Sequence, residues 1–158
     1  MQRPLTNSSK PLSAVLSVVG AECADTTESI NVTGISQSSG GVVVGDLFIA
    51  LPGEKFHGAQ FAADAIERGA VAVLTDVVGA AMVTGVPVLV VENPRRAAGV
   101  ISAWFYEEPM RDLYSVGVTG TNGKTTVTTL LHQIMQAAGR ESGLIGTVET
   151  RIRSKVIA

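Results

Sequence analysis

Tyr114-Ser-Val-Gly-Val-Thr-Gly-Thr-Asn-Gly-Lys-Thr-Thr126 runs from an apolar stretch into a glycine-rich turn and then into Gly-Lys-Thr. An apolar strand, a bend and a helix start make a loop for a nucleotide's phosphates. Glycines let the backbone bend and come close to an anion without a side-chain clash. The first N–H groups of the following helix lack intrahelical partners and face that anion. Lys124 adds a full positive charge near the β- and γ-phosphates and is the candidate catalytic cation. Thr125 offers a hydroxyl to Mg²⁺ and is the candidate metal ligand. The candidate ATP-binding set is Gly120, Thr121, Asn122, Gly123, Lys124, Thr125 and Thr126. The spacing departs from the strict G-x-x-x-x-G-K-[ST] form, which needs glycine at 118, where Val118 stands. The compact form Gly120-x-x-Gly123-Lys124-Thr125 is present instead.

Working outward, residues 113–119 are expected as a strand and 124–138 as a helix stopped by Gly139. A further strand begins at 143–145. The helix carries Val127, Leu130, Leu131 and Ile134 on one face, an apolar stripe that needs a sheet to cover it. Thr128, Thr129 and His132 on this helix read as packing or solvent positions. A strand–loop–helix–strand unit of about 45 residues is below the size that usually folds alone. The expectation is therefore a truncated sequence, or the first part of a longer protein.

Upstream, residues 45–106 alternate strand and helix. Strands are expected at 29–36, 47–51, 70–74 and 86–91. Helices are expected at 12–20, 58–68 (with Phe61, Ala62, Ala65 and Ile66 on one face) and 94–106, the last opened by Pro94. Gly69 ends the second of these helices. Residues 36–41 read as a flexible polar loop and 1–12 as a poorly ordered tail. Such alternation argues for α/β layering with at least partly parallel strands. Glu107-Glu108-Pro109 breaks it and marks a boundary. The expected organisation is a tail and short helix over 1–28, a small N-terminal α/β domain over 29–109, and the opening strand–phosphate-loop–helix–strand of a P-loop ATPase-type central domain over 112–158.

Composition narrows the function class. Of the 158 residues, 46% are hydrophobic and 16% charged, which is globular. A net charge of −2 and 4% aromatic residues argue against a nucleic-acid partner. The lone Cys23 has no disulfide partner in the chain, and His57 and His132 lie in no zinc-ligand spacing. No apolar run reaches the ~18–20 residues of a bilayer span, so no membrane span is expected and a cytoplasmic location follows by default.

Residues 118–126 strongly resemble the ATP loop of the Mur ligases, the ATP-dependent amino-acid ligases of bacterial cell-wall precursor synthesis. The folylpolyglutamate synthases share a related loop. Gly45-Asp-Leu-Phe-Ile-Ala-Leu51 with Gly53 and His57-Gly58 is similar to a segment of the N-terminal domain of MurE and MurF. Ala65-Ile-Glu-Arg-Gly-Ala-Val-Ala-Val-Leu74 resembles the next segment of that same domain. Gly143-Leu-Ile-Gly-Thr147 looks like a strand of MurE that MurF does not usually carry. The resemblance covers roughly residues 30–150.

It implies an ATP-dependent ligase with Mg²⁺ that activates a carboxylate of a UDP-MurNAc-peptide as an acyl phosphate. An incoming amine then forms the amide. For the MurE type the substrate is UDP-MurNAc-L-Ala-D-Glu, and the third residue is meso-diaminopimelate or L-lysine. By motif alignment the uridine end falls to Gln37 and Ser39, before Gly45-Asp46, and to Glu54, Lys55 and Phe56, after Gly53. The family's usual Asp-Ser-Arg is here Ser38-Ser39-Gly40, with only the serine kept. Asp46 is expected to shape a turn and His57 to be a loop residue. The family's other metal-site acid, its modified lysine and its amino-acid-selecting domain fall beyond residue 158, so the chain alone is expected not to catalyse. The competing readings are a MurF-type ligase, a non-catalytic nucleotide- or UDP-sugar-binding module and, more remotely, a phosphate-loop kinase.

Overall fold

The computed structural model describes residues 8–23 and 29–157. The expectations for residues 1–7 and 24–28 lie outside them. The chain divides into two compact units, with the break between Leu113 and Tyr114.

In the first unit, β1 (Lys10–Pro11) leads directly into α1 (Leu12–Val19), which ends at Gly20 in the left-handed conformation. β2 (Asn31–Val32) pairs antiparallel with β1. The expected tail over 1–12 is thus corrected from Lys10 onward: those residues find a backbone partner in β2. The strand expected over 29–36 is also two strands. After β2 the chain changes sheet at Thr33, whose N–H donates to the Gly45 carbonyl at 2.8 Å. It then continues as β3 (Gly34–Ser36) in the main sheet.

β4 (Asp46–Ile49), α2 (Ala62–Glu67), β5 (Ala70–Thr75), α3 (Val77–Ala80), β6 (Val88–Val90) and α4 (Pro94–Phe105) complete this unit. The four strands lie in the order β3-β4-β5-β6, and every pairing is parallel. The strand–helix alternation read from the sequence is this sheet. The helix expected over 58–68 opens as a 3-10 turn, Gly58–Phe61, before α2. Of its expected apolar face, Ala62 and Ala65 are buried while Phe61 is largely exposed. α3, four residues capped by Asp76, carries no long periodicity and was not foreseen.

The sheet is covered on both faces, as parallel sheets generally are. Leu47 and Ile49 of β4, Ala72 and Leu74 of β5 and Leu89 of β6 pack with α1 and α4, through Leu12, Val15, Ala97, Ala98, Ile101 and Phe105. The alternate residues Phe48, Ala50 and Val73 pack on the other face with Ala59, Ala62 and Ala65. Side chains alternate across a strand, so one apolar run feeds two cores. Gly69, at φ +108°, turns the chain between α2 and β5 so tightly that a Cβ there would sit 2.7 Å from Val44 Cα. Beyond α4, Glu107 and Glu108 take positive φ values of 62° and 52° ahead of Pro109. That conformation is costly for residues with a Cβ and ends the helix abruptly.

The second unit holds α5 (Lys124–Ala137) and a three-stranded antiparallel sheet of β7 (Gly143–Ile145), β8 (Thr150–Ile152) and β9 (Lys155–Val156). The strand expected over 113–119 is a correction. Residues 114–119 have no ladder partner among the described residues, and Tyr114 is 92% exposed. An extended segment is a strand only when a neighbour takes up its N–H and C=O groups. The strand foreseen at 143–145 is present, but in a hairpin meander.

Candidate functional site

The glycine loop stands where the sequence puts it, at the N-terminus of a 14-residue helix. Gly120 (φ +146°) and Gly123 (φ +78°) adopt values that side-chain-bearing residues avoid, and Gly123 is the residue before the first helical turn. A Cβ on Gly123 would meet nothing within 4 Å. Its glycine is therefore required by the backbone angle and not by crowding. The first intrahelical bond runs from Val127 N–H to Gly123 C=O at 2.9 Å, so the N–H groups of Lys124, Thr125 and Thr126 head the helix without an i−4 partner. The Lys124 ammonium folds back onto the Gly120 carbonyl and reaches the Thr121 carbonyl at 3.4 Å. A nucleotide phosphate would take over those contacts.

Residues 120–126 are all exposed. These features fit a phosphate group: two positive-φ glycines, unsatisfied helix N–H groups and one cation on a long, flexible stem. Thr125 sits in the first turn, where a hydroxyl ligand to Mg²⁺ would be needed. Among the described residues no group of three or more His, Cys, Asp or Glu gathers to hold a metal ion. Thr128 donates to the Lys124 and Thr125 carbonyls, both at 3.0 Å, and is a helix-internal residue. His132 is buried, with Nδ1 on the Ser142 hydroxyl at 2.9 Å and Nε2 on the Arg153 carbonyl at 3.0 Å. It ties α5 to the hairpin.

The other candidate residues belong to the first unit and share one edge of its sheet. Gln37 and Ser39 come after β3, and Glu54, Lys55 and Phe56 after β4, both at the carboxyl ends of adjacent parallel strands. In open parallel sheets that edge is where ligands bind. The segment at 36–41, expected as a flexible loop, is an ordered turn. Ser36 Oγ donates to the Ser38 carbonyl at 2.8 Å, and a 3-10 turn spans Ser39–Gly41. Gln37 is exposed. Ser39 is half-buried and its hydroxyl bonds the Asp64 carboxylate. That bond, with the Arg68 guanidinium 2.9 Å away, holds the Asp64 carboxyl below the usual carboxylate range. Asp46, fully buried, accepts from Val43 N–H at 3.0 Å and closes a turn, as expected.

Glu54, Lys55 and Phe56 form an exposed turn, with Phe56 65% exposed. Gly53 N–H donates to Phe56 C=O at 3.1 Å, and Gly58 N–H to Leu51 C=O at 2.8 Å. Gly53, His57 and Gly58 were picked out by motif, with His57 expected as a loop residue; the parts played by Asp76 and Arg95 were not foreseen. His57 Nδ1 accepts from Ala59 N–H at 3.1 Å, and its Nε2 lies 3.1 Å from Asp76 Oδ1. Arg95 donates to the Pro52 carbonyl at 3.2 Å. The Gly79 N–H, at 2.8 Å, and His57 hold the Asp76 carboxyl below its ordinary range. The available signal was Thr75-Asp76 at the end of an apolar run with Gly79 three residues on, an N-cap pattern.

Comparison with known proteins matches residues 31–106 to the catalytic domain of the Mur ligase family and residues 118–157 to the Mur ligase middle domain. A UDP-N-acetylmuramoyl-L-alanyl-D-glutamate--2,6-diaminopimelate ligase of Streptomyces avermitilis is 47% identical over 95% of this chain. A UDP-N-acetylmuramyl-tripeptide synthetase of Leifsonia xyli is 40% identical over 98% of it. The chain spans 29% and 30% of their lengths, respectively. Among solved structures, a UDP-N-acetylmuramoyl-L-alanyl-D-glutamate--2,6-diaminopimelate ligase superposes with a TM-score of 0.63 at 24% identity, over 90% of this chain and 29% of that one. MurF from Acinetobacter baumannii gives 0.62 at 24% identity, over 82% of this chain and 28% of that one. At that identity both speak for the fold alone.

Proposed function

The chain belongs to the Mur ligase family, and on that premise we propose that it is the N-terminal portion of a MurE-type enzyme. That enzyme is an ATP-dependent ligase that adds the third amino acid to UDP-MurNAc-L-Ala-D-Glu in peptidoglycan precursor synthesis. One observation carries the reading: a single chain joins the family's first domain to Gly-Thr-Asn-Gly-Lys-Thr at the head of a helix. The names of the relatives support 2,6-diaminopimelate as the incoming amine. The identity of those sequence relatives also favours this type over the MurF type, which the fold alone does not separate.

In this reading residues 120–126 hold the triphosphate of ATP. Backbone N–H groups and Lys124 neutralise and align the γ-phosphoryl group for in-line attack by the substrate carboxylate. Thr125 contributes a hydroxyl to Mg²⁺, which would offset charge on the β- and γ-phosphates. At the carboxyl edge of the parallel sheet, Gln37 and Ser39 supply polar contacts to the uridine end. Glu54, Lys55 and Phe56 line it from the neighbouring loop, with the exposed Phe56 ring suited to lie against a base. The cytoplasm, where ATP is supplied, is the proposed location; no described helix is long and apolar enough to cross a membrane.

Calorimetric titration of the chain with UDP-MurNAc-L-Ala-D-Glu and, separately, with Mg-ATP tests the proposal. Saturable binding of the UDP-sugar, competed by UDP, is expected. A folded chain, shown by its circular dichroism melt, that takes up no UDP-sugar would refute the uridine-site assignment.

A further inference from the structure

The exposed loop at residues 54–56 is rooted in a built seat. The His57 imidazole is 12% exposed and uses both nitrogens. Nδ1 accepts the Ala59 main-chain proton, which leaves the ring proton on Nε2, where it is donated to Asp76 Oδ1. The same Oδ1 caps α3 by accepting Gly79 N–H at 2.8 Å. The ring fits only because residue 79 lacks a side chain. A Cβ there would lie 2.5 Å from His57 Cε1 and 2.1 Å from Thr75 Oγ1. Thr75, fully buried, donates to the Ala50 carbonyl at 3.0 Å. The other root of the loop, Pro52, forms a bridge with His57 and receives Arg95. The carboxyl ends of β4 and β5 are therefore joined by one side-chain pair, immediately beside Phe56.

We propose that the His57–Asp76 pair is a latch that positions the loop of Glu54, Lys55 and Phe56, and so sets the affinity of this edge for the uridine end of a UDP-sugar. The inference rests on the site reading given above. The latch acts through the loop backbone. A loop held in its binding geometry before the ligand arrives loses less freedom when the ligand binds. His57 and Asp76 are positioning residues that need not touch the ligand.

Two variants break the link while leaving each local cap in place. In His57→Asn the shorter amide still accepts from Ala59 N–H and falls short of Asp76. In Asp76→Ser the hydroxyl still caps Gly79 N–H and falls short of His57. Asp76→Asn keeps an acceptor oxygen for both partners and serves as the conservative control. In the whole ligand-free chain, both link-breaking variants are expected to speed hydrogen exchange at the Gly53 and Gly58 amides. Both are also expected to weaken UDP-MurNAc-L-Ala-D-Glu binding about tenfold. The double variant should be no worse than either single one, Asp76→Asn should behave as wild type, and Mg-ATP affinity should not move.

Unchanged exchange in both variants would overturn the latch. Faster exchange with unchanged UDP-sugar affinity would overturn its role in binding. If the wild-type chain itself takes up no UDP-sugar, the site reading fails and the binding role fails with it. The exchange arm then decides the latch on its own.

Discussion

The two units of this chain handle apolar side chains in opposite ways. In the first, a parallel sheet is sandwiched between α1 and α4 on one face and α2 on the other, and Phe48, Leu74, Ile101 and Phe105 are at most 2% exposed. In the second, Leu144 is the one buried apolar residue among those described. Val127, Leu130 and Ile134 of α5 are 44–61% exposed, and Ile145 is 89% exposed. The first unit is a finished core whose strand ends carry candidate site residues. The second presents the glycine loop on a scaffold whose apolar residues are mostly exposed. Local geometry, here two glycines and a helix start, is thus specified separately from the packing that stabilises it.

The sharpest way to break this contrast is to make one substitution in both units. Leu74→Ala should lower unfolding free energy by about 3–5 kcal/mol, because it empties a fully enclosed position between sheet and helices. Leu130→Ala, on the exposed helix face, should cost less than about 0.5 kcal/mol. Urea denaturation of both variants decides, and equal losses would mean that α5 is covered in solution.

Glycines sharpen the comparison further. Gly69→Ala combines a positive φ with a Cβ driven against the Val44 backbone and should cost about 3 kcal/mol, the upper end for such strain. Gly123→Ala has the positive φ and open space and should cost about 1 kcal/mol. Thermal melts of the pair would separate backbone strain from crowding.

Lys124→Ala should weaken Mg-ATP binding by roughly 10- to 100-fold, the effect of removing a bond from a charged group, about 1.5–3 kcal/mol. Its partners are two exposed-loop carbonyls, so the melting midpoint should stay in place, as should UDP-sugar affinity. A parallel loss of UDP-sugar binding would show that the two units act as one.

A modest, pH-dependent effect belongs to Asp76. Asp76→Ala removes the α3 cap and should cost about 1 kcal/mol at neutral pH. The folded-state pKa of Asp76 is depressed, chiefly by the Gly79 N–H. Its contribution is therefore fully present above the unfolded carboxylate value of about 3.9 and is lost as pH falls through the lower folded value. The gap between wild type and variant should narrow below about pH 4, as read from denaturation midpoints across pH.

Much of the first unit was legible because its signals are local. Gly69 after an apolar helix face, Pro94 at a helix start, and apolar runs of strand length each report conformation within a few residues. The phosphate loop was legible for the same reason: Gly120, Gly123 and Lys124 need only one another and the adjoining helix. Errors fell where a long-range partner decides. Lys10 and Pro11 became a strand because β2 lies beside them. Residues 114–119 did not, because no ladder reaches them. The loop at 54–56 was picked out by motif, while its seat was missed because His57 and Asp76 are 19 positions apart.

The sequence by itself determined the alternation of strand and helix over residues 45–106, the glycine-rich turn ahead of the helix at residue 124 and the family that both parts match. These depend on backbone preference, side-chain period and the spacing of a few glycines. Only the tertiary structure decided that Gln37, Ser39 and residues 54–56 share one sheet edge, that Ser39 is engaged by Asp64, and that His57 is held by Asp76. Those contacts join residues far apart in the chain. Their geometry exists only once the parallel strands are in register and both faces of the sheet are covered.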